Sequence, residues 1–154
     1  MARTHGNGYK QGFFTAKNPR KYRGNPEQIV FRSSWELRFM RWCDEQDAVE
    51  QWASEELVIP YFSAIDQKQH RYFMDFVISV RGRDGTLTTY MVEIKPHEQT
   101  QPPKPSRSKY YQSKCLEYVK NQEKWKAAEV FARAHNMKFI IMTEYELGMR
   151  KRKA

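Results

Sequence analysis

The sequence predicts an α/β domain with a central mixed sheet flanked by helices. Three observations predict it. Two runs rich in aromatic and β-branched residues, 71–78 and 90–95, flank an Arg83-Asp84-Gly85 turn, and Asp-Gly between such runs is a strong hairpin signal. A long stretch of helical periodicity, 108–135, leads into the apolar run Met137 to Met142, so a helix can carry the chain to a parallel last strand. A second helical pattern opens at Ser33 with Ser33-x-x-Glu36, the capping-box spacing.

Taken in order, residues 1–26 hold four glycines and two prolines and read as a basic extended arm, with Gly12-Phe13-Phe14 as the part to dock on the core. Residues 27–149 form the α/β domain, and 150–154 a basic tail. In the first helix Trp35, Phe39, Trp42 and Cys43 share one stripe and are expected in the core. Residues 55–61 read as the first strand, and Pro60 puts it at an edge or near its end. His70 precedes the 71–78 run and is either a phosphate contact or simply exposed. Residues 96–108 contain four prolines, which exclude a helix or central strand. They read equally as a substrate loop or a stiff linker. In the long helix Tyr111, Cys115, Tyr118, Trp125 and Ala132 form one stripe, with Leu116, Val119, Ala127, Val130 and Phe131 beside it, all expected in the core. Lys114, Lys120, Lys124 and Lys126 flank the stripe, facing either DNA or solvent. Asn136 suits the helix end.

A hydrophobic content of 40%, with nine Phe, nine Tyr and four Trp, is enough for a core in 154 residues. No apolar run is long enough to span a bilayer, and residues 1–6 lack a signal-peptide core. Cys43 and Cys115, with no metal-ligand spacing around them, argue for a reducing compartment and against structural zinc. The net charge of +9 is uneven. Arg3, Lys10, Lys17, Arg20, Lys21 and Arg23 lie in the arm, which has no acid, and Arg150, Lys151, Arg152 and Lys153 in the tail; 17 basic residues face 18 acidic ones between. Two cationic ends on a nearly neutral middle fit a polyanion partner, or serve solubility alone. Neither end has the amphipathic pattern of a membrane helix.

Charge also stands where the strands should be apolar. Asp75 is the only charged residue between Tyr72 and Ile78. Glu93 and Lys95, two apart, share a strand face, while Val92 and Ile94 face the other way. A closed hairpin gathers Asp75, Glu93 and Lys95 on one face. Two adjacent carboxylates repel, and a hard divalent cation relieves the repulsion. A lysine beside them can position a water and offset charge on a phosphate oxygen. The pattern therefore suits metal-assisted phosphodiester hydrolysis; its plain alternative is a cross-strand ion pair. Glu36 has two readings as well, a carboxylate turned back on its helix cap or one aimed at a metal.

Asp75 followed by Glu93-Ile94-Lys95 resembles the PD-(D/E)xK nuclease superfamily. With Phe31-Arg32-Ser33-Ser34-Trp35-Glu36 ahead of it, the chain is similar over roughly residues 20–145 to the TnsA-type and phage head completion nucleases. Met74 stands where the motif often has proline. The resemblance implies a restriction-endonuclease-like core and a Mg²⁺-dependent DNA endonuclease, with Mn²⁺ able to substitute. It implies Asp75 and Glu93 as metal ligands, the Ile94 carbonyl as a third, Lys95 as the catalytic lysine and Glu36 as the acid of the first helix. A metal-activated water would attack phosphorus directly. DNA contacts are expected from Arg20, Lys21, Arg23, Lys104, Arg107, Lys109 and Arg150 to Lys153. The implied setting is the host cytoplasm or the virion, with phage head or portal components as partners. The alternative is a structural or DNA-binding phage protein that keeps the scaffold without hydrolysis.

Overall fold

The computed structural model describes residues 3–5 and 9–149. Strands β1 (Arg3–His5), β2 (Tyr9–Phe14) and β3 (Ile29–Phe31) form an antiparallel three-stranded sheet. Helix α1 (Ser34–Glu45) follows, and then β4 (Val49–Ser54), β5 (Val58–Ser63), β6 (Lys68–Phe73), β7 (Phe76–Arg81) and β8 (Leu87–Ile94). Helix α2 (Tyr111–Ala134) leads to β9 (Lys138–Met142).

The central sheet has the order β4-β7-β8-β9, antiparallel except for the parallel β8–β9 pair, so it is mixed as expected. Among the described residues, β5 and β6 pair only with each other. The pairings of β4 with β7 and of β5 with β6 make one long ribbon that splits midway. At the split, Met74 N donates to Leu57 O at 2.9 Å and Glu55 N donates to Asp75 O at 3.1 Å. Glu55 takes a left-handed φ of 56° there, uncommon for a residue with a Cβ. The 71–78 run is thus two strands in two sheets, broken at Met74 and Asp75, and not one. β4 was not expected, and the strand placed at 55–61 begins three residues later. Pro60 is tolerated within β5 because each strand of a two-stranded sheet has a free edge.

Alternation along β7 and β8 sorts two cores. Phe76, Ile78 and Val92 face α1, β2 and β3, in a cluster with Phe14, Tyr22, Phe31, Phe39 and Trp52. Met91 faces the opposite way, with Met74, Tyr72, Ile59, Trp125, Ala128 and Ala132. Glu93, two residues beyond Met91, therefore lies on the α2 side.

The described part of the expected arm is tied to this frame. β2 pairs with β3, Phe14 and Tyr22 are buried, and Tyr22 packs on Trp52 at 4.7 Å between centroids. Buried Asp44 accepts from the backbone N–H groups of Lys17 at 2.8 Å and Asn18 at 2.9 Å. Other expectations need correction. Trp42 and three residues of α2, Leu116, Val119 and Val130, are exposed. On α2 the buried face is narrower and runs through Asn121, Trp125, Ala128 and Ala132. The helix ends as expected, with Asn136 in the left-handed region at φ 56° and Met137 N donating to Ala132 O at 2.8 Å.

Candidate active site

The β7–β8 register pairs Phe76 with Val92. One residue further out, Asp75 and Glu93 fall opposite each other, where the ribbon splits and β8 ends. The turn that fixes this register is closed by Gly82 N donating to Thr86 O at 2.8 Å, with Gly85 at φ 83°, which favours glycine. The parallel ladder adds the other side, since Lys95 N donates to Met142 O at 3.0 Å.

Ile94 N donates to Asp75 Oδ2 at 2.8 Å, which anchors the carboxylate across the strands. Burial pushes the Asp75 carboxyl well above the usual aspartate range, and the Glu93 and Glu36 charges push the same way; the Ile94 N–H and Lys95 pull it back. Glu93 is 6% exposed. One of its oxygens accepts from the Tyr72 hydroxyl, and the other lies 3.5 Å from Lys95 Nζ. Beside Tyr72, the buried Trp125 indole N–H lacks a partner of good hydrogen-bond geometry, yet its approach to the phenol lowers the Tyr72 pKa against the larger raising effect of burial. Glu93 is therefore held from one side by a phenol and from the other by an ammonium.

Glu36 is arranged differently. Its N–H donates to Ser33 Oγ at 3.1 Å, completing the helix cap, while its Oε2 accepts from Arg32 N at 2.6 Å. The reciprocal bond reaches one residue before the cap rather than the cap itself. Burial raises the Glu36 carboxyl, opposed by the Arg32 N–H. The Arg32 guanidinium pairs with Glu55, and its own pKa is raised by Glu55 first and also by Glu36 and Asp75. Thus Asp75, Glu93 and Lys95 are brought together, and Glu36 acts on Asp75 through its field while its carboxylate is turned onto the backbone.

Among the described residues, no three His, Cys, Asp or Glu side chains converge as a cage for a metal. The donor set nonetheless fits a hard cation. Asp75 and Glu93 are oxygen ligands with no thiol or imidazole beside them, and Mg²⁺ is commonly held by one or two carboxylates, with water and phosphate completing its shell.

Of the residues expected to touch DNA, Arg20 and Arg23 are exposed. Lys21 turns inward and donates to Asp44 O at 3.0 Å and Gln46 O at 2.7 Å. Lys104, Arg107 and Lys109 are exposed on the 96–108 connection and just after it. That connection borders a groove of about 970 Å³ against the first half of α2, reaching Tyr111, Lys114 and Asn121. Residues 150–153 lie outside the described residues. His70 is engaged by Asp66 at 2.7 Å.

The sequence reading missed Tyr72. Three residues from Asp75, it would point to the opposite face of a continuous strand, and only the break lets both reach Glu93. The one signal was a phenol oxygen within an apolar run.

With this geometry in place, two similarities bear on the chain. Residues 46–144 match the family model described as the N-terminal domain of TnsA-like endonucleases. The chain is also similar to the head completion nuclease of Enterobacteria phage T4, at 39% identity over 139 residues, covering 86% of this chain and 90% of the relative.

Proposed function

The chain belongs to the TnsA-like endonuclease family, and from that membership we propose that it is a Mg²⁺-dependent DNA endonuclease of the PD-(D/E)xK type, acting in completion of phage heads. The single observation that carries the catalytic part is the cross-strand placement of Asp75 opposite Glu93, with Lys95 Nζ 3.5 Å from the latter. Asp75, Glu93 and the Ile94 carbonyl would hold the ion, and Mn²⁺ would replace Mg²⁺. Glu36 is the acid that would join them if it leaves Arg32 N. Such an ion, when bound, supplies a Lewis acid for a phosphate oxygen and lowers the pKa of water.

The chain's own residues do the rest. Ile94 N–H fixes Asp75, and the Tyr72 hydroxyl fixes Glu93, so neither carboxylate must reorganise as substrate arrives. Lys95 is partly buried, where its charge is less screened than in water. It orients the attacking water and offsets the charge that develops on the phosphate. Hydrolysis by direct attack on phosphorus needs no covalent intermediate. Arg20, Arg23, Lys104, Arg107 and Lys109 contact the backbone of DNA, as does the Arg150 to Lys153 tail. The relative's name, head completion nuclease, supports a role in virion assembly, and the partner in that role would be a head or portal component.

Plasmid cleavage in Mg²⁺, Mn²⁺, Ca²⁺ and EDTA tests the proposal. Activity is expected with Mg²⁺ and Mn²⁺ and none with EDTA. Lys95→Ala should bind DNA nearly normally and cut slowly, a loss in the chemical step. Asp75→Ala should lose at least about 10²-fold, as loss of metal-derived charge stabilisation predicts. Cleavage by Asp75→Ala at the wild-type rate, or cleavage that persists in EDTA, would overturn it.

A further inference from the structure

Helix α2 brings Lys124 towards Glu93, with Lys120 one turn earlier, and neither belongs to the proposed motif. Lys124 Nζ stands 5.5 Å from the centroid of the Tyr72 ring, and the hydroxyl of that ring is bonded to Glu93. Lys124 is half-buried, and Lys120, one turn earlier on the same face, is partly buried too. Among the described ion pairs, none involves either residue. Burial lowers the Lys124 pKa, and the charges of Lys120 and Lys95 lower it further, against Glu93 and Glu117, which raise it.

The ammonium groups of Lys120 and Lys95 therefore both act on Lys124, beside the buried carboxylate of Glu93. Glu93 is already shared between Lys95 and the Tyr72 hydroxyl. Gathering like charges at a partly desolvated position is unfavourable in the free protein. An anion entering between the lysines removes that repulsion. The cation–π contact with the Tyr72 ring accounts for a cation at Lys124; among the described cation–π contacts and ion pairs none accounts for one at Lys120.

We infer that Lys120 and Lys124 form a phosphate-binding site on the α2 side of Glu93, beside but distinct from Lys95, that takes a DNA backbone phosphate next to the one being cleaved. The identity of the anion as DNA rests on the nuclease reading above. Lys95 belongs to the reacting phosphate, and α2 holds its neighbour, so the helix sets where along the strand the chain cuts. Recognition is through the backbone and carries no sequence information.

The test is equilibrium binding of a short duplex in EDTA, which prevents hydrolysis, titrated with salt for wild type, Lys120→Gln, Lys124→Gln and Lys124→Arg. Each Gln variant should flatten the slope of log K against log salt by about 0.9, the value for one phosphate contact on duplex DNA. Lys124→Arg should keep the wild-type slope. The loss should be equal on two unrelated sequences. Unchanged slopes in both Gln variants, with wild-type melting, would make Lys124 a cover for Tyr72 and end the inference. Should Lys124→Gln fail to fold, an unchanged slope in Lys120→Gln alone has the same force. Cleavage is scored separately on the wild-type protein. Flattened slopes without hydrolysis in Mg²⁺ or Mn²⁺ would keep the phosphate site and defeat the nuclease reading. Hydrolysis with unchanged slopes would do the reverse.

Discussion

Burial, Glu93 and Glu36 raise the Asp75 carboxyl above its ordinary 3.8, so ionising it in the metal-free protein costs folding free energy. The folded form holds this proton more tightly than the unfolded form. The associated stability is complete below 3.8 and is lost as pH rises through the raised native value. Asparagine is neutral throughout and keeps an oxygen for the Ile94 N–H. Asp75→Asn should therefore be more stable than wild type in EDTA at neutral pH, with the gain vanishing at acid pH. Urea unfolding across that range measures it, and a difference independent of pH would refute the linkage. Glu36 yields a second prediction. Glutamine preserves an acceptor for Arg32 N and removes a charge that burial disfavours, so Glu36→Gln should be at least as stable as wild type, yet it should lose Mg²⁺-dependent cleavage if Glu36 joins the ion. Full activity would reduce Glu36 to a helix cap. At this scale the grouping of Asp75, Glu93 and Lys95 was legible from the two-residue period of a strand. Tyr72 was not, because its position depends on a break that no local pattern announces.

The elements divide in the same way. Helices α1 and α2, the β7–β8 hairpin and the parallel β9 were legible because caps, periodicity and an Asp-Gly turn act locally. β4 was not, because Val49-Glu50-Gln51-Trp52-Ala53-Ser54 alternates poorly and is held as a strand by pairing with β7. The apolar residues of α2 exceed its buried face, which left Leu116, Val119 and Val130 outside. The glycines and prolines of the first 26 residues suggested an arm, whereas burial of Phe14 and Tyr22 welds its described part to the core. Phe13 and Phe14 separate these ideas, being 67% and 8% exposed. Phe14→Ala should destabilise by about 3 kcal/mol or more, the usual cost of removing a buried phenyl ring. Phe13→Ala should stay within about 0.5 kcal/mol, as surface changes do. Denaturant midpoints decide it, and equal effects would mean that β2 is not part of the cooperative unit.

Across the whole molecule the charge is carried by the two ends, with 17 basic and 18 acidic residues in 27–149. That asymmetry was legible from composition, and it bears on how DNA is held rather than on the fold. If affinity lives largely in electrostatic contacts, each one contributes a slope of about −0.9 in log K against log salt on a duplex. Deleting residues 150–154 removes four cations and should flatten the slope by up to roughly 3 to 4 units, fewer if only some touch phosphate. The weakening should be the same on unrelated duplexes, since phosphate contacts do not read bases. At saturating DNA and low salt the cleavage rate should hardly change, because a tail that binds substrate and transition state equally alters affinity and not turnover. Salt titrations of the truncated protein on two sequences, read beside single-turnover rates, separate these effects. An unchanged slope would assign the tail to a protein surface instead, and a component of the phage head would then be the partner to assay.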